Sequence, residues 1–216
     1  MTNPILEDVE GVTLTSTGLV VMQEHIDFAE KVFSRQALDV PRALRCRMTL
    51  NHETIHFIQC FTAASPYYFS LSFLSLAEDV MHASLNNELT PELLLEFKTY
   101  FRSLVERYRS PFQNVSTIDL LEAMAVTEGY RATVLPNQDN PEAFHLFLQD
   151  WFPDPNSEYR LVIEIVTGRF GKDAGYNLTP RLCYIALNTK HPSKSFFDLI
   201  DNLPLESNSA SEIILE

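Results

Sequence analysis

Cysteine and long hydrophobic runs are both scarce in this chain. Its three cysteines, Cys46, Cys60 and Cys183, are widely spaced and form no C-x-x-C pair. Such a set is typical of buried free thiols in a reducing compartment rather than of a disulfide framework. No stretch approaches the roughly 20 consecutive apolar residues that a membrane-spanning helix needs. We therefore expect neither a disulfide-stabilised protein nor a membrane protein.

Positive charge is also scarce. The chain has 16 Lys and Arg against 29 Asp and Glu, a net charge of -13. Because a phosphate backbone is bound mainly through clustered basic residues, this balance argues against nucleic acid as a partner. The first eight residues lack the basic and apolar segments of a signal peptide, which predicts a cytoplasmic location.

Helical periodicity dominates the rest of the sequence. Only residues 11–18 alternate apolar and hydroxyl side chains, which predicts a short N-terminal β element. We predict a mainly α fold, with one zincin-like metal-binding domain over residues 1–205 and a flexible tail over 206–216. The predicted helices cover residues 18–36, 41 to about 62, 67–86, 90–108, 116–134, 141–151, 157–170, 177–189 and 193–203.

An H-E-x-x-H motif at residues 52–56 lies inside the second predicted helix. At about 100° per residue, His52 and His56 lie about 40° apart on one face, where two imidazoles can share a metal ion. Glu53 points about 60–100° away, where it can reach a water in an open coordination position. This division of roles is typical of a metallopeptidase, in which the glutamate takes a proton from that water.

A third protein ligand is expected from the helix at 116–134. We predict Glu122, because its apolar neighbours indicate an inward face and a buried carboxylate needs a cation. Glu128 is the alternative, on a different side of the same helix. Asp119 could orient a ligating histidine or cap the helix together with Ser116.

The motif and the later helical glutamate resemble the gluzincin division of the zincin metallopeptidases. The resemblance implies Zn²⁺ bound by His52, His56 and Glu122, with Glu53 as the general base. Glu122 follows His56 by 66 residues, a longer spacing than in the best-known gluzincins. The form His-Glu-x-x-His-x-x-Gln followed by a distant Glu-x-x-Ala is also similar to poorly characterised bacterial zincin-like proteins.

Three further residues on the motif helix border the metal face. Gln59 could fix a ligand or contact substrate, and Arg45 could bind a substrate carboxylate or simply lie at the surface. Cys60 would crowd the site as a ligand, so core packing is the favoured interpretation.

Peptide hydrolysis also needs a hydrogen-bond donor for the oxyanion that develops in the transition state. The sequence does not select one. A mobile donor on the flexible-looking loop at 171–175 is conceivable. The candidates are Tyr130, His145, Tyr176, Arg181 and His191.

Three functions are compatible with these features. The first is a zinc metallopeptidase that cleaves a peptide or specific protein; the alternative is a non-catalytic zincin-like module for metal binding or protein interaction. The third is a di-iron carboxylate helical protein, which leaves His52 unexplained. Its formal ligands would be Glu24, Glu53, His56, Glu122, Glu142 and His145.

Overall fold

A β-hairpin precedes the helices in this computed structural model, which describes residues 11–14, 19–22, 26–34, 40–135 and 139–204. Strand β1 (Gly11–Leu14) pairs antiparallel with β2 (Leu19–Met22), with Gly11 opposite Met22. The expected N-terminal β element is thus present. The helix predicted from residue 18 is wrong at its start, because the short Leu-Val-Val-Met run favours a paired strand.

The described residues are mainly helical, as predicted. None of these helices is long and apolar enough to cross a membrane. The predicted tail at 206–216 lies outside the described residues. The helices are α1 (Ile26–Phe33), α2 (Val40–Thr62), α3 (Ala64–Leu85), α4 (Pro91–Arg109), α5 (Thr117–Thr133), α6 (Pro141–Trp151), α7 (Leu161–Phe170), α8 (Lys172–Asn177), α9 (Thr179–Leu187) and α10 (Pro192–Asn202).

Helix starts follow the local sequence closely. Thr90 caps α4 by accepting a hydrogen bond from the Leu93 backbone N–H, and proline takes the first helical position. Ser116 and Asp119 form a reciprocal capping box at the start of α5. Of the two roles proposed for Asp119, the structure therefore shows helix capping.

Helix α5 lies at the centre of the fold. It packs most extensively against α2 and next against α9. Its side chains Leu120, Ala123 and Val126 are fully buried. The hydrophobic core around them extends through α6, α7, α9 and α10, so α5 is held from several sides.

Gly129 lets α5 approach the motif helix closely. A Cβ added at Gly129 would lie 3.1 Å from the His52 backbone nitrogen, closer than nine in ten real Cβ contacts. Nearby, Asn51 Nδ2 donates to Thr133 Oγ1 at 2.9 Å, and that hydroxyl donates to the Gly129 carbonyl at 2.7 Å. The backbones of α2 and α5 are therefore in direct contact at the first motif histidine.

All three cysteines are buried thiols that form no disulfide, as the sequence predicts. Cys46 and Cys60 lie on α2 on either side of the motif, and Cys183 lies in α9. Burial raises the pKa of the Cys60 and Cys183 thiols, which keeps both protonated and unreactive. Cys60 thus packs in the core and does not join the motif histidines as a ligand.

Candidate metal centre

Three side-chain atoms from α2 and α5 form a nearly equilateral triangle. His52 Nε2 lies 3.0 Å from His56 Nε2, and Glu122 Oε2 lies 3.1 Å from the first and 3.2 Å from the second. A tetrahedral zinc ion with bonds of about 2.0–2.1 Å holds its ligand atoms about 3.3 Å apart. The triangle therefore has the size that one such ion requires. We refer to His52, His56 and Glu122 as the metal centre.

Gln59 orients His56 as a ligand. The Gln59 amide nitrogen donates to the Leu121 carbonyl at 3.0 Å, so its amide oxygen faces His56 Nδ1 at 2.8 Å. Nδ1 must therefore donate, and in the neutral ring Nε2 presents a lone pair to the triangle. A backbone carbonyl of α5 thus selects the tautomer that can bind metal. Of the two roles considered for Gln59, the hydrogen bonds fit the orientation of His56.

Electrostatics at the metal centre favour a cation. Burial by itself lowers the pKa of His56, but the Glu122 carboxylate, with help from Gln59 and Glu53, raises it to about 9. Burial likewise raises the pKa of Glu122, yet the two histidines lower it to about 2. Glu122 therefore stays ionised and attracts positive charge, either a proton on His56 or a metal ion.

Glu53 follows His52 on α2 and does not belong to the triangle. It is only 6% exposed although it carries a carboxylate. Its negative charge contributes to the raised pKa of both His56 and Tyr159, which places the carboxylate within electrostatic reach of both rings.

Tyr159 is a neighbour of the site that sequence reasoning missed. Its ring centroid lies 6.1 Å from that of His52, and it stacks on Phe152 at 4.9 Å. Burial raises its pKa well above the usual range, as do nearby carboxylates, Glu122 foremost. The phenol therefore keeps its proton, and it hydrogen-bonds to the Glu158 side chain. No local motif marks Tyr159, because only the packing of the turn before α7 brings it to His52.

The other carboxylate considered as third ligand has a different partner. Glu128 Oε1 forms an ion pair with Arg131 at 2.7 Å. Only Glu122 joins the histidines within the described residues. Arg45 is exposed, and its guanidinium lies 5.9 Å from the Trp151 ring.

The five candidate oxyanion donors have other surroundings. Tyr130 packs against Phe144 in the core, and the Tyr176 hydroxyl donates to Asp139. His145 Nε2 lies 3.4 Å from the Lys172 carbonyl oxygen. Arg181 and His191 are exposed. The predicted loop at 171–175 is wrong for residues 172–175, which belong to α8.

The additional ligands of the di-iron interpretation do not reach the metal centre. Glu142 is exposed in the first turn of α6, and His145 on the same helix is directed toward α8. Neither belongs to the group of three potential ligands that the described residues contain. Glu24 lies outside those residues.

Comparisons with protein-family models, with curated proteins and with solved structures give no match. A function can therefore be inferred only from the geometry of the metal centre and from the side chains around it.

Proposed function

We propose that the protein is a zinc-dependent metallopeptidase that cleaves a peptide or a specific protein in the cytoplasm. The observation that carries the proposal is the triangle of His52, His56 and Glu122 atoms, 3.0–3.2 Å apart, with the buried carboxylate of Glu53 beside it. Zinc held there would supply Lewis acidity toward a water molecule and the scissile carbonyl.

The donor set supports a catalytic site over a structural one. Structural zinc sites use four protein ligands, whereas catalytic sites use three and leave one position for water or substrate. Two imidazoles and one carboxylate make up the metal centre, and the described residues add no fourth ligand to the group. The three side chains are each 14–17% exposed, so water can reach them.

Glu53 is the proposed general base and acid. A structural zinc site gains nothing from a carboxylate next to its ligands, whereas a catalytic site needs a proton acceptor there. In hydrolysis Glu53 accepts a proton from the attacking water and then transfers it to the leaving amine. Its charge influences both His56 and Tyr159, which fits a position between ligand and substrate.

Tyr159 is the proposed donor to the developing oxyanion. Its phenol stays protonated and its ring lies next to His52, so in the proposed reaction the hydroxyl turns from Glu158 to the oxyanion. A preorganised donor at such a position stabilises the transition state more than the substrate. With a net charge of -13, the protein should attract basic or neutral peptides more strongly than acidic ones.

The substitution Glu53→Gln tests the proposal, since an amide keeps the size of the side chain and loses the base. We expect zinc content to stay near one per chain while hydrolysis falls by about 10³-fold or more. Peptide termini can be compared in cells that express the wild type or the Glu53→Gln variant. The exposed Glu142→Gln provides a matched control.

A set of termini present with the wild type and Glu142→Gln, and absent with Glu53→Gln, would support the peptidase. Identical termini in all three, with zinc bound in each, would leave a metal-binding module without turnover. Loss of zinc in Glu53→Gln would instead mean that Glu53 is a ligand.

A further inference from the structure

A cavity of about 700 Å³ lies where the end of α4 meets the starts of α5 and α10. Its wall includes three basic side chains, Arg107, Lys190 and Lys194, and no acidic one. We call it the basic cavity. None of the metal-centre residues lines it, so it is a separate site.

The three cations of the basic cavity form no ion pair with a carboxylate of the described residues. In the part of the chain that the structure describes, the ion pairs involve other side chains. Yet acidic residues outnumber basic ones by 29 to 16 in this protein. Three unpaired cations around one concavity produce a local positive potential that a bound anion would neutralise.

The start of α10 adds backbone donors to the same wall. Its N-cap residue, His191, makes no capping side-chain bond, and Pro192 at the first helical position has no N–H. The N–H groups of Ser193 and Lys194 meet no acceptor among the described residues. Free N–H groups and the positive end of a helix dipole favour an anion at this position.

Two hydroxyl residues in the cavity wall are largely buried. Ser193 is 7% exposed and Thr117 is 5% exposed, and neither side chain makes a hydrogen bond to any other described residue. Their oxygens are not among the fully enclosed unpaired atoms, so both reach open space. A ligand in the cavity can therefore complete the hydrogen bonds of both hydroxyls in place of water.

We propose that the basic cavity binds a phosphate group. A phosphate dianion has several oxygens that can accept from the two N–H groups, the two hydroxyls and the three cations together. A carboxylate has only two oxygens and one charge. Tyr108 and the half-exposed Phe112 supply an aromatic wall, and the volume is that of a small-molecule site, so the phosphate can belong to an organic molecule.

Binding can be tested by calorimetry on the full chain. The probes are inorganic phosphate, adenosine 5′-monophosphate and adenosine. We expect both phosphates to bind, adenosine to bind at least tenfold more weakly than its monophosphate, and binding to weaken with salt. Tighter binding of the monophosphate than of inorganic phosphate would indicate an organic ligand, and equal binding would indicate free phosphate. Equal affinity for adenosine and its monophosphate would overturn the proposal.

Charge reversal at Lys194 locates the site. Lys194→Glu places an acid in the first turn of α10, where a negative charge stabilises the helix, so the protein should fold. We expect it to weaken phosphate binding by about tenfold or more, and the exposed Lys190→Glu to do the same. Lys98→Glu, an exposed change in α4 away from the cavity, is the control.

Equal phosphate affinity in Lys194→Glu, Lys190→Glu and Lys98→Glu would overturn the assignment to the basic cavity. Absence of phosphate binding to the wild type at millimolar concentration would overturn the proposal itself. His52→Ala should bind phosphate like the wild type, and loss of binding there would assign the anion to the metal centre instead.

Discussion

Helix α5 contributes to two sites that have opposite chemistry. Glu122, in its second turn, belongs to the metal centre, where a carboxylate and two imidazoles attract a cation. Thr117, its first residue, lines the basic cavity, where lysines, an arginine and free N–H groups attract an anion. The two residues are about 8 Å apart along the helix. One short helix thus positions residues of both sites, so a substitution can impair binding at one site and leave binding at the other intact.

His52→Ala should give the largest difference between the effects on zinc affinity and on phosphate affinity. It removes one of three ligands, so we expect zinc affinity to fall by about 10³-fold or more while phosphate affinity is unchanged. Without zinc, Glu122 loses a buried partner, and the free energy of unfolding should drop by about 1–3 kcal/mol. Elemental analysis and urea unfolding measure both effects. The exposed His82→Ala should change neither quantity; zinc retained at full occupancy in His52→Ala would contradict the assignment.

Tyr159→Phe should affect turnover alone. Removing one oxyanion donor typically lowers kcat by about 10²-fold. Zinc content, phosphate affinity and KM should stay close to wild type, because the aromatic ring of the variant still packs on Phe152. Steady-state kinetics on a cleaved peptide provide the measurement, with the exposed Tyr100→Phe as control. An unchanged kcat would remove Tyr159 from the proposed mechanism.

Gly129→Ala should perturb the metal centre through the backbone. The added methyl would press on the backbone of α2 at His52, which we expect to cost about 1–3 kcal/mol and to weaken zinc binding. Gly168→Ala, in α7 with open space around it, should be neutral or stabilising by up to about 1 kcal/mol. Thermal unfolding and zinc titration of both variants test this contrast. If the two variants had equal stability and zinc affinity, α2 and α5 would be able to move apart and accommodate the added methyl group.

Zinc binding should depend on pH in a direction that the pKa of His56 sets. With a pKa of about 9, His56 is protonated at pH 7, and zinc must displace that proton. Apparent zinc affinity should therefore rise about tenfold per pH unit between pH 7 and 9, and level off above. Calorimetry in buffers of different ionisation enthalpy should detect about one proton released per zinc at pH 7. An affinity that is flat above pH 7 would indicate an ordinary histidine.

The sequence predicts the metal centre much better than the basic cavity. Two histidines one turn apart on an uninterrupted helix determine each other's position, and the apolar neighbours of Glu122 orient it inward. The helices that carry them begin and end within about two residues of the predicted bounds, because prolines and the Ser116 cap mark their starts.

The residues that sequence reasoning missed come together only through packing. Arg107 lies at the end of one helix, while Lys190 and Lys194 lie more than 80 residues later around the start of another. The strongly negative net charge of the whole chain gives no sign of such a local cluster of basic residues. Tyr159 reaches His52 through the turn before α7, and neither periodicity nor a motif reports that contact.

The buried thiols give the protein an internal reporter of local opening. Cys46 and Cys60 flank the H-E-x-x-H motif on α2, whereas Cys183 lies in the hydrophobic core on α9. A thiol reagent can reach each of them only when its surroundings open. Modification rates resolved by mass spectrometry would therefore give separate opening free energies for the helix that carries the motif and for the hydrophobic core around Cys183.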